Sequence, residues 1–172
     1  MLGTSKMVRM QELGIEQMVA ADWLAVRAIY VEGIATGNAT FERSAPEWEA
    51  WHAAHMQQCR LVARLHGDVA GWAALTPVSG RCVYAGVAEV SVYVAKNMRG
   101  RKIGQRLLAS LVAESEKHGL WMLQAGIFPE NVASIEMHKR CGFRVVGVRE
   151  KLGKMDNLWR DVVLMERRSG IF

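Results

Sequence analysis

The segment 89–106 constrains this chain more than any other, because it reads as a strand, a basic loop and a helix in direct succession. Its apolar, β-type run 90–94 follows a single carboxylate, Glu89, and the next acidic residue is Glu114. The loop carries four basic side chains, those of Lys96, Arg99, Arg101 and Lys102. Free N–H groups and a partial positive charge at the start of the following helix favour an anion such as phosphate. The segment therefore predicts an anion-binding site preceded by one acid.

Composition limits the class of protein. The chain has 172 residues, of which 51% are hydrophobic and 23% charged, and its formal net charge is +5. These values predict one globular domain over 1–172, with an ordered core of about 7–167. The positive charges form no basic tail, and aromatic residues are not interleaved with the basic cluster. We therefore expect a phosphate-bearing small molecule, not nucleic acid, as the partner.

The cysteines and the lengths of the apolar segments indicate the cellular compartment of the protein. Cys59, Cys82 and Cys141 show no CxxC spacing, which is typical of reduced thiols. Residues 1–6 are too short and too weakly apolar for a signal peptide, and no apolar run approaches transmembrane length. We expect a soluble cytoplasmic protein without a membrane partner.

Hydrophobic periodicity and turn residues predict the element order β-α-α-β-β-β-α-β-α-β-β. Helices are expected at 15–34, 46–58, 103–118 and 131–140. Strands are expected at 7–13, 61–65, 69–75, 83–94, 121–128, 143–149 and 158–166. This order predicts an α/β (α+β) fold, a mixed sheet with helices on both faces.

Two spaced motifs resemble those of a known family. Residues 99–104 (RGRKIG) resemble the pyrophosphate loop Gln/Arg-x-x-Gly-x-Gly/Ala of the GCN5-related N-acetyltransferases. Residues 131–143 resemble the family's Asn-x-x-Ala/Ser-x-x-x-Tyr-x-x-x-Gly-Phe element, with His138 at the tyrosine position. The phosphinothricin and methionine sulfoximine acetyltransferase branch, including its arsinothricin-resistance relatives, is similar in further blocks at 35–41, 84–94, 128–131 and 159–163. The resemblance covers nearly the whole chain and implies a single-domain fold with a mostly antiparallel central sheet.

The resemblance implies an acetyl-CoA-dependent N-acetyltransferase. The acceptor would be the α-amino group of a small amino acid or a glutamate-analogue toxin, such as phosphinothricin, methionine sulfoximine, methionine sulfone or arsinothricin. Direct attack in a ternary complex is expected, because no Cys or Ser lies in an activated motif. The branch also implies a homodimer. Alternatives are a polyamine or protein N-terminus as acceptor, or a non-catalytic acyl-CoA sensor, against which the presence of Glu89 argues.

Acetyl transfer to an amine requires a base, since an α-amino group is mostly protonated at neutral pH. Glu89 on its apolar strand is the candidate, directly or through one water. Alternatively, Glu89 faces solvent or pairs with a nearby basic residue. His138 is the second catalytic candidate, for protonating the leaving thiolate or orienting the substrate. A lone helical histidine is also often structural.

The resemblance implies a cofactor-binding set along the strand, the loop and the later helix. It comprises Val92, Tyr93, Val94, Arg99, Gly100, Arg101, Lys102, Ile103, Gly104, Gln105, Asn131 and Ser134. The alternatives are a solvated basic turn for the loop and a simple N-cap for Asn131. Lys102 stands where the family usually has a glycine, so we expect a glycine-like backbone there and weaker or rearranged cofactor binding.

The resemblance also implies a set of residues that bind the amino-acid substrate: Phe41, Arg81, Tyr84 and Trp159. Arg81 would hold an α-carboxylate or another oxyanion, whereas Trp159 would close the pocket or belong to the core. The run 85–87 (AGV) lacks the Arg and Thr common in the branch, which leaves the substrate open.

One further group of residues has the spacing of metal ligands. His52, His55 and Cys59 have helical spacing that can ligate zinc, but no fourth ligand is evident and we expect no metal.

Overall fold

The computed structural model describes residues 13–172. The helices are α1 (Trp23–Ile34), α2 (Trp48–Ala54), α3 (Ile103–Lys117) and α4 (Val132–Arg140). The strands are β1 (Gly14–Gln17), β2 (Leu61–Leu65), β3 (Asp68–Pro77), β4 (Val87–Val94), β5 (Met122–Ile127), β6 (Arg144–Met155) and β7 (Leu158–Arg168). Their order along the chain is the predicted one. No helix among these residues is long and apolar enough to cross a membrane.

The seven strands form one sheet in the order β1-β2-β3-β4-β5-β7-β6. Only β4 and β5 pair in parallel, so the prediction of a mixed, mostly antiparallel sheet is confirmed. The β4–β5 pairing is short and ends where Glu89 lies opposite Gln124. Beyond this pair the two strands separate, which opens the sheet at its centre.

Helices cover both faces of the sheet, as expected. Alternate residues of β3 point to opposite faces, so Leu75 belongs to one apolar core and Trp72 to the other. The first core is filled by α3, whose stripe Leu107, Leu108 and Leu111 is fully buried. The second core contains the aromatic residues of α1 and α2, with Trp23 and Trp51 packed together at 5.3 Å.

The amino-terminal prediction was partly wrong. Of the strand expected at 7–13, only Leu13 lies within the described residues, and it is not in a strand. The first described strand is instead Gly14–Gln17, which overlaps the start of the helix predicted at 15–34 and pairs antiparallel with β2. The helix begins only at Trp23. In the turn that precedes it, the Asp22 carboxylate accepts a hydrogen bond from the Val19 N–H at 3.0 Å.

Helix α2 is shorter than predicted and ends at Ala54 instead of about residue 58. The buried Arg60 guanidinium donates to the carbonyl oxygens of His52, His55 and Met56, at 2.8, 2.6 and 2.7 Å respectively. These bonds satisfy the carbonyls that a longer helix would have bonded internally.

Two strand boundaries were also wrong. β4 starts at Val87, not at 83, because Cys82–Tyr84 forms a 3₁₀ turn. Gly86 then packs flat on the Trp121 indole, where an added Cβ would lie 2.0 Å from a ring carbon. β6 continues to Met155 instead of ending at 149, so only a turn at Asp156 and Asn157, both with positive φ, separates it from β7.

Candidate active site

Two adjoining cavities occupy the opening between β4 and β5. The smaller cavity, of about 410 Å³, is lined by Glu89, His138 and Phe41, among others. The larger cavity, of about 650 Å³, is lined by the basic loop and the start of α3. Five residues line both: Ala39, Val92, Tyr93, Asn131 and Ser134. The shared wall lets two ligands bound in these cavities meet at β4.

Glu89 lies at the last paired position of β4 and lines the smaller cavity. Its Oε2 accepts a hydrogen bond from Nε2 of Gln124 at 2.8 Å. This partner is a neutral amide and not one of the nearby basic side chains. One carboxylate oxygen is therefore anchored, and the half-buried group can accept a proton from a ligand in the cavity.

His138 lies on α4 and is only 4% exposed. Its Nδ1 is 2.8 Å from the backbone oxygen of Ser134, which assigns the proton to Nδ1. Its Nε2 is buried without a partner among the described residues. Burial lowers the pKa of His138, and the bond to Ser134 opposes this only partly. The ring is thus suited to accept a hydrogen bond at Nε2 and poorly suited to donate a proton from it.

The larger cavity has the features of a phosphate site. Helix α3 begins without a side-chain cap and without an acidic residue in its first turn, so its first N–H groups are available to an anion. Lys102 precedes it with φ +60° and ψ +14°, which confirms the expected left-handed backbone. Gly104 lies so close to α4 that an added Cβ would be 2.9 Å from the Met137 sulfur. The residues present therefore fit a pyrophosphate group.

Most of the cofactor set predicted from the resemblance lines the larger cavity. Its members there are Val92, Tyr93, Val94, Arg99, Gly100, Lys102, Ile103, Gly104, Gln105, Asn131 and Ser134. Arg101 is exposed and lies outside the described lining of both cavities. The Asn131 side chain accepts from the Ser134 N–H at 3.3 Å, so the N-cap interpretation is correct. Its Nδ2 also donates to the Asn38 carbonyl at 3.2 Å.

Of the four predicted substrate residues, Phe41 alone lines the smaller cavity. Its ring packs edge-on against Phe128, with centroids 4.8 Å apart. Arg81 and Tyr84 stack on each other at 5.5 Å on the 3₁₀ turn, outside the described lining of either cavity. Trp159 is 58% exposed, so its interpretation as a core residue is wrong.

The helical zinc candidates have other partners. Nδ1 of His52 is 2.8 Å from Arg60, and Nδ1 of His55 is 2.8 Å from the Trp51 carbonyl. Across residues 13–172 there is no group of three or more His, Cys, Asp or Glu side chains that could hold a metal ion.

Sequence reasoning missed three charged or polar residues at the site. Gln124 donates a hydrogen bond to the Glu89 carboxylate. It is the one polar residue in the apolar strand β5, and this pattern could have identified it as a site residue. Glu42 and Arg149 line the smaller cavity. Neither had such a signal, since both lie in polar segments that resemble solvent-exposed chain.

The chain is similar in sequence to known acetyltransferases. Residues 23–143 match the acetyltransferase (GNAT) family. The phosphinothricin N-acetyltransferase of Alcaligenes faecalis is 34% identical over 85% of this chain and 77% of its own. The L-methionine sulfoximine/L-methionine sulfone acetyltransferase of Pseudomonas paraeruginosa is 29% identical over 85% of this chain and 88% of its own.

Solved structures agree with the sequence matches. A GNAT superfamily phosphinothricin acetyltransferase from Sinorhizobium meliloti, in complex with acetyl-CoA, has a TM-score of 0.84 and 29% identity, covering 92% of this chain and 89% of its own. The acetyl-CoA complex of a putative acetyltransferase from Salmonella typhimurium also has a TM-score of 0.84, with 26% identity, covering 91% and 94%. Because the family match spans more than half of the chain and the fold agrees, this protein belongs to the acetyltransferase (GNAT) family and is an acetyltransferase.

Proposed function

We propose that this enzyme transfers the acetyl group of acetyl-CoA to the α-amino group of a small amino acid or a glutamate analogue, by direct attack in a ternary complex. The observation that carries the proposal is Glu89, which faces the smaller cavity next to the larger, phosphate-compatible one. The names of the relatives, which specify phosphinothricin and methionine sulfoximine or sulfone as substrates, support this acceptor class. Resistance to such compounds is the corresponding biological role.

Glu89 acts as the general base in this proposal. Acetyl-CoA supplies the acetyl group as a thioester and its thiolate departs. Glu89, directly or through one water, accepts the proton that the ammonium group loses before it attacks. As the C–N bond forms and the C–S bond breaks, the nitrogen loses a second proton, which the departing thiolate takes up. Gln124 holds one carboxylate oxygen of Glu89, so the other is free for the first proton. A backbone N–H of β4, in the stretch no longer paired with β5, donates to the carbonyl oxygen as negative charge develops there.

The larger cavity would bind the cofactor along its length. Residues 92–94 of β4 hold the pantetheine arm, and 99–105 hold the pyrophosphate at the start of α3. Arg101, outside the cavity lining, contributes its charge at longer range. Asn131 and Ser134 border both cavities and orient the cofactor at the junction. His138 orients the substrate through the lone pair on Nε2, because its lowered pKa and its bond to Ser134 leave it neutral.

A homodimer is part of the proposal. The β6–β7 hairpin exposes a run of large apolar side chains: Val145, Val146, Val148, Leu152, Leu158 and Trp159. Apolar surface of this kind is typical of protein–protein contacts. Arg81, Tyr84 and Trp159 retain their proposed substrate roles only if the assembly brings them to a cavity. We further propose a cytoplasmic enzyme acting on small molecules without nucleic acid or membrane partners.

A cationic amine such as a polyamine is the second candidate acceptor. The smaller cavity contains the carboxylates of Glu42 and Glu89, which would suit a second positive charge. Comparing rates for amino acids, polyamines and amino-terminal peptides at equal concentration separates these acceptors. Selective acetylation of polyamines would replace the amino-acid proposal.

Substituting Glu89→Gln tests the proposed function. Without the base, kcat at neutral pH should fall by roughly 10²- to 10⁴-fold, while the Kd of acetyl-CoA stays nearly unchanged. Glu49→Gln, an exposed position on α2, is the matched control and should keep wild-type kcat. Unchanged kcat of Glu89→Gln across the pH profile would remove Glu89 as base. A wild-type enzyme that acetylates no amine would overturn the whole proposal.

A further inference from the structure

The smaller cavity has a single arginine or lysine among its described lining residues, Arg149 of β6. No motif pointed to this residue, and the predicted anion-binding Arg81 lies outside the described lining. The positive charge available to a ligand in the cavity therefore comes from β6 and not from the turn before β4.

Neighbouring arginines are already engaged with other groups. Arg144 of β6 pairs with Glu166, and Arg160 of β7 donates to Glu130, Asn38 and the Gly37 carbonyl. Arg149 has no carboxylate partner within residues 13–172. Its guanidinium can therefore bind an external anion without breaking an existing ion pair.

The local backbone also sets Arg149 apart. Arg149 lies opposite Val162, and the β6–β7 register shifts directly after it, since Gly153 is the next β6 residue paired with β7. Such irregularities turn side chains away from the regular alternation and occur often beside active sites. Arg149 is the last residue of β6 paired with β7 before this irregularity, and it lines the cavity although β6 is an edge strand.

Arg149 and Glu89 approach the cavity from different parts of the sheet. From β4 to β6 the sheet crosses β5 and β7, three strand spacings of about 4.8 Å, or roughly 14 Å between backbones. The side chains bridge part of this distance. The apolar part of the lining includes Phe41, Leu152 and Leu164, and the loop before α2 adds the carboxylate residue Glu42. The cavity is thus lined by Glu89 on β4 and by Arg149 on a strand three positions away.

An α-carboxylate is separated from its amino group by one carbon atom, too few to reach Arg149 when the amine is at Glu89. A group at the far end of the side chain has the required reach. We propose that Arg149 binds the terminal oxyanion of the substrate side chain, a carboxylate, phosphinate or arsinate. Arg149 thereby selects amino acids with an anionic end. This inference rests on the proposed function and adds the residue that determines specificity.

The test compares acceptors that differ only at the side-chain end, glutamate with glutamine and phosphinothricin with methionine sulfone. In Arg149→Gln, kcat/KM for the anionic acceptors should fall about 10- to 100-fold, mainly through KM, because a charged hydrogen-bonded pair is lost. The neutral acceptors should change less than about 2-fold. Arg149→Lys should be intermediate, since it keeps the charge without the bidentate geometry.

Arg144→Gln removes the same charge from the same strand outside the cavity and should leave the selectivity unchanged. Equal losses for anionic and neutral acceptors in Arg149→Gln, or no loss, would overturn the inference while leaving the acetyltransferase proposal intact. Loss of anion selectivity in Arg81→Gln but not in Arg149→Gln would also overturn it. Wild-type inactivity toward every amine would instead refute the proposed function itself.

Discussion

Lys102 holds a backbone conformation that normally belongs to glycine. Its φ of +60° places it in the left-handed region directly before α3. For a residue with a Cβ this conformation costs roughly 1–2 kcal/mol. The same position gives the larger cavity an ammonium group that glycine would lack. We therefore expect backbone strain and phosphate attraction to act in opposite directions at this residue.

Replacing Lys102 by Gly and by Ala separates the two effects. Lys102→Gly should raise the free energy of unfolding by up to about 1 kcal/mol, part of the gain being offset by the flexibility of glycine in the unfolded chain. Lys102→Ala keeps the Cβ and should show no gain. Urea unfolding followed by tryptophan fluorescence measures both. Equal stabilities of the two variants would contradict strain at this residue.

At the scale of elements, the loop between α1 and α2 closes the smaller cavity. Arg160 of β7 holds this loop by donating to the Gly37 carbonyl at 3.0 Å and to Asn38 Oδ1 at 2.9 Å. Phe41 then packs against β6 at Gly153, where an added Cβ would lie 2.6 Å from the ring. The position of the Phe41 ring therefore depends on Gly153 of β6, because a side chain at that residue would occupy the same space.

Gly153→Ala should displace Phe41 from this contact. Overpacking of this kind costs about 1–3 kcal/mol, so we expect KM for the amino-acid acceptor to rise roughly 5-fold or more, with KM for acetyl-CoA unchanged. Gly147→Ala on the same strand is the control, because an added Cβ there meets nothing within 4 Å. Steady-state kinetics with each substrate varied separately measures the effect. An equal rise in KM for Gly147→Ala would argue against a specific contact with Phe41.

For the whole molecule, the half-buried His55 and the buried His138 link stability to pH. Burial lowers the pKa values of His55 and His138 below their ordinary 6.5. Between the lowered values and 6.5 the unfolded chain binds more protons than the folded one, so stability rises with pH in this window. The stabilisation is complete above pH 6.5 and is lost as the pH falls through the folded-state pKa values.

Urea unfolding at pH 7.5 and pH 5.5 should therefore give a lower free energy of unfolding at the acidic pH. His55→Gln and His138→Gln should each reduce this difference, because glutamine does not titrate. His66→Asn, in the exposed β2–β3 turn, serves as the control for removing a histidine. A pH difference that survives in the double variant His55→Gln/His138→Gln would assign the effect to other groups.

Patterns that depend on neighbours along the chain were predictable. Helix α3 and the strands β2 and β3 follow from hydrophobic periodicity and lie close to their expected bounds, whereas β4 and β6 do not. The helical conformation expected at 15–22 failed, because pairing with β2 outweighed local preference. The short α2 depends on Arg60, whose hydrogen bonds to its carbonyls cannot be inferred from spacing.

The sequence by itself determined the family and the element order, and it located Glu89 shortly before the basic loop at the start of α3, because motifs and periodicity along the chain record these features. Only the tertiary structure decided what surrounds Glu89. Gln124 reaches it because β4 and β5 pair at that position, and Arg149 lines the same cavity from β6, the edge strand of the sheet. Strand pairing joins residues that are distant in the chain, so no local pattern records it.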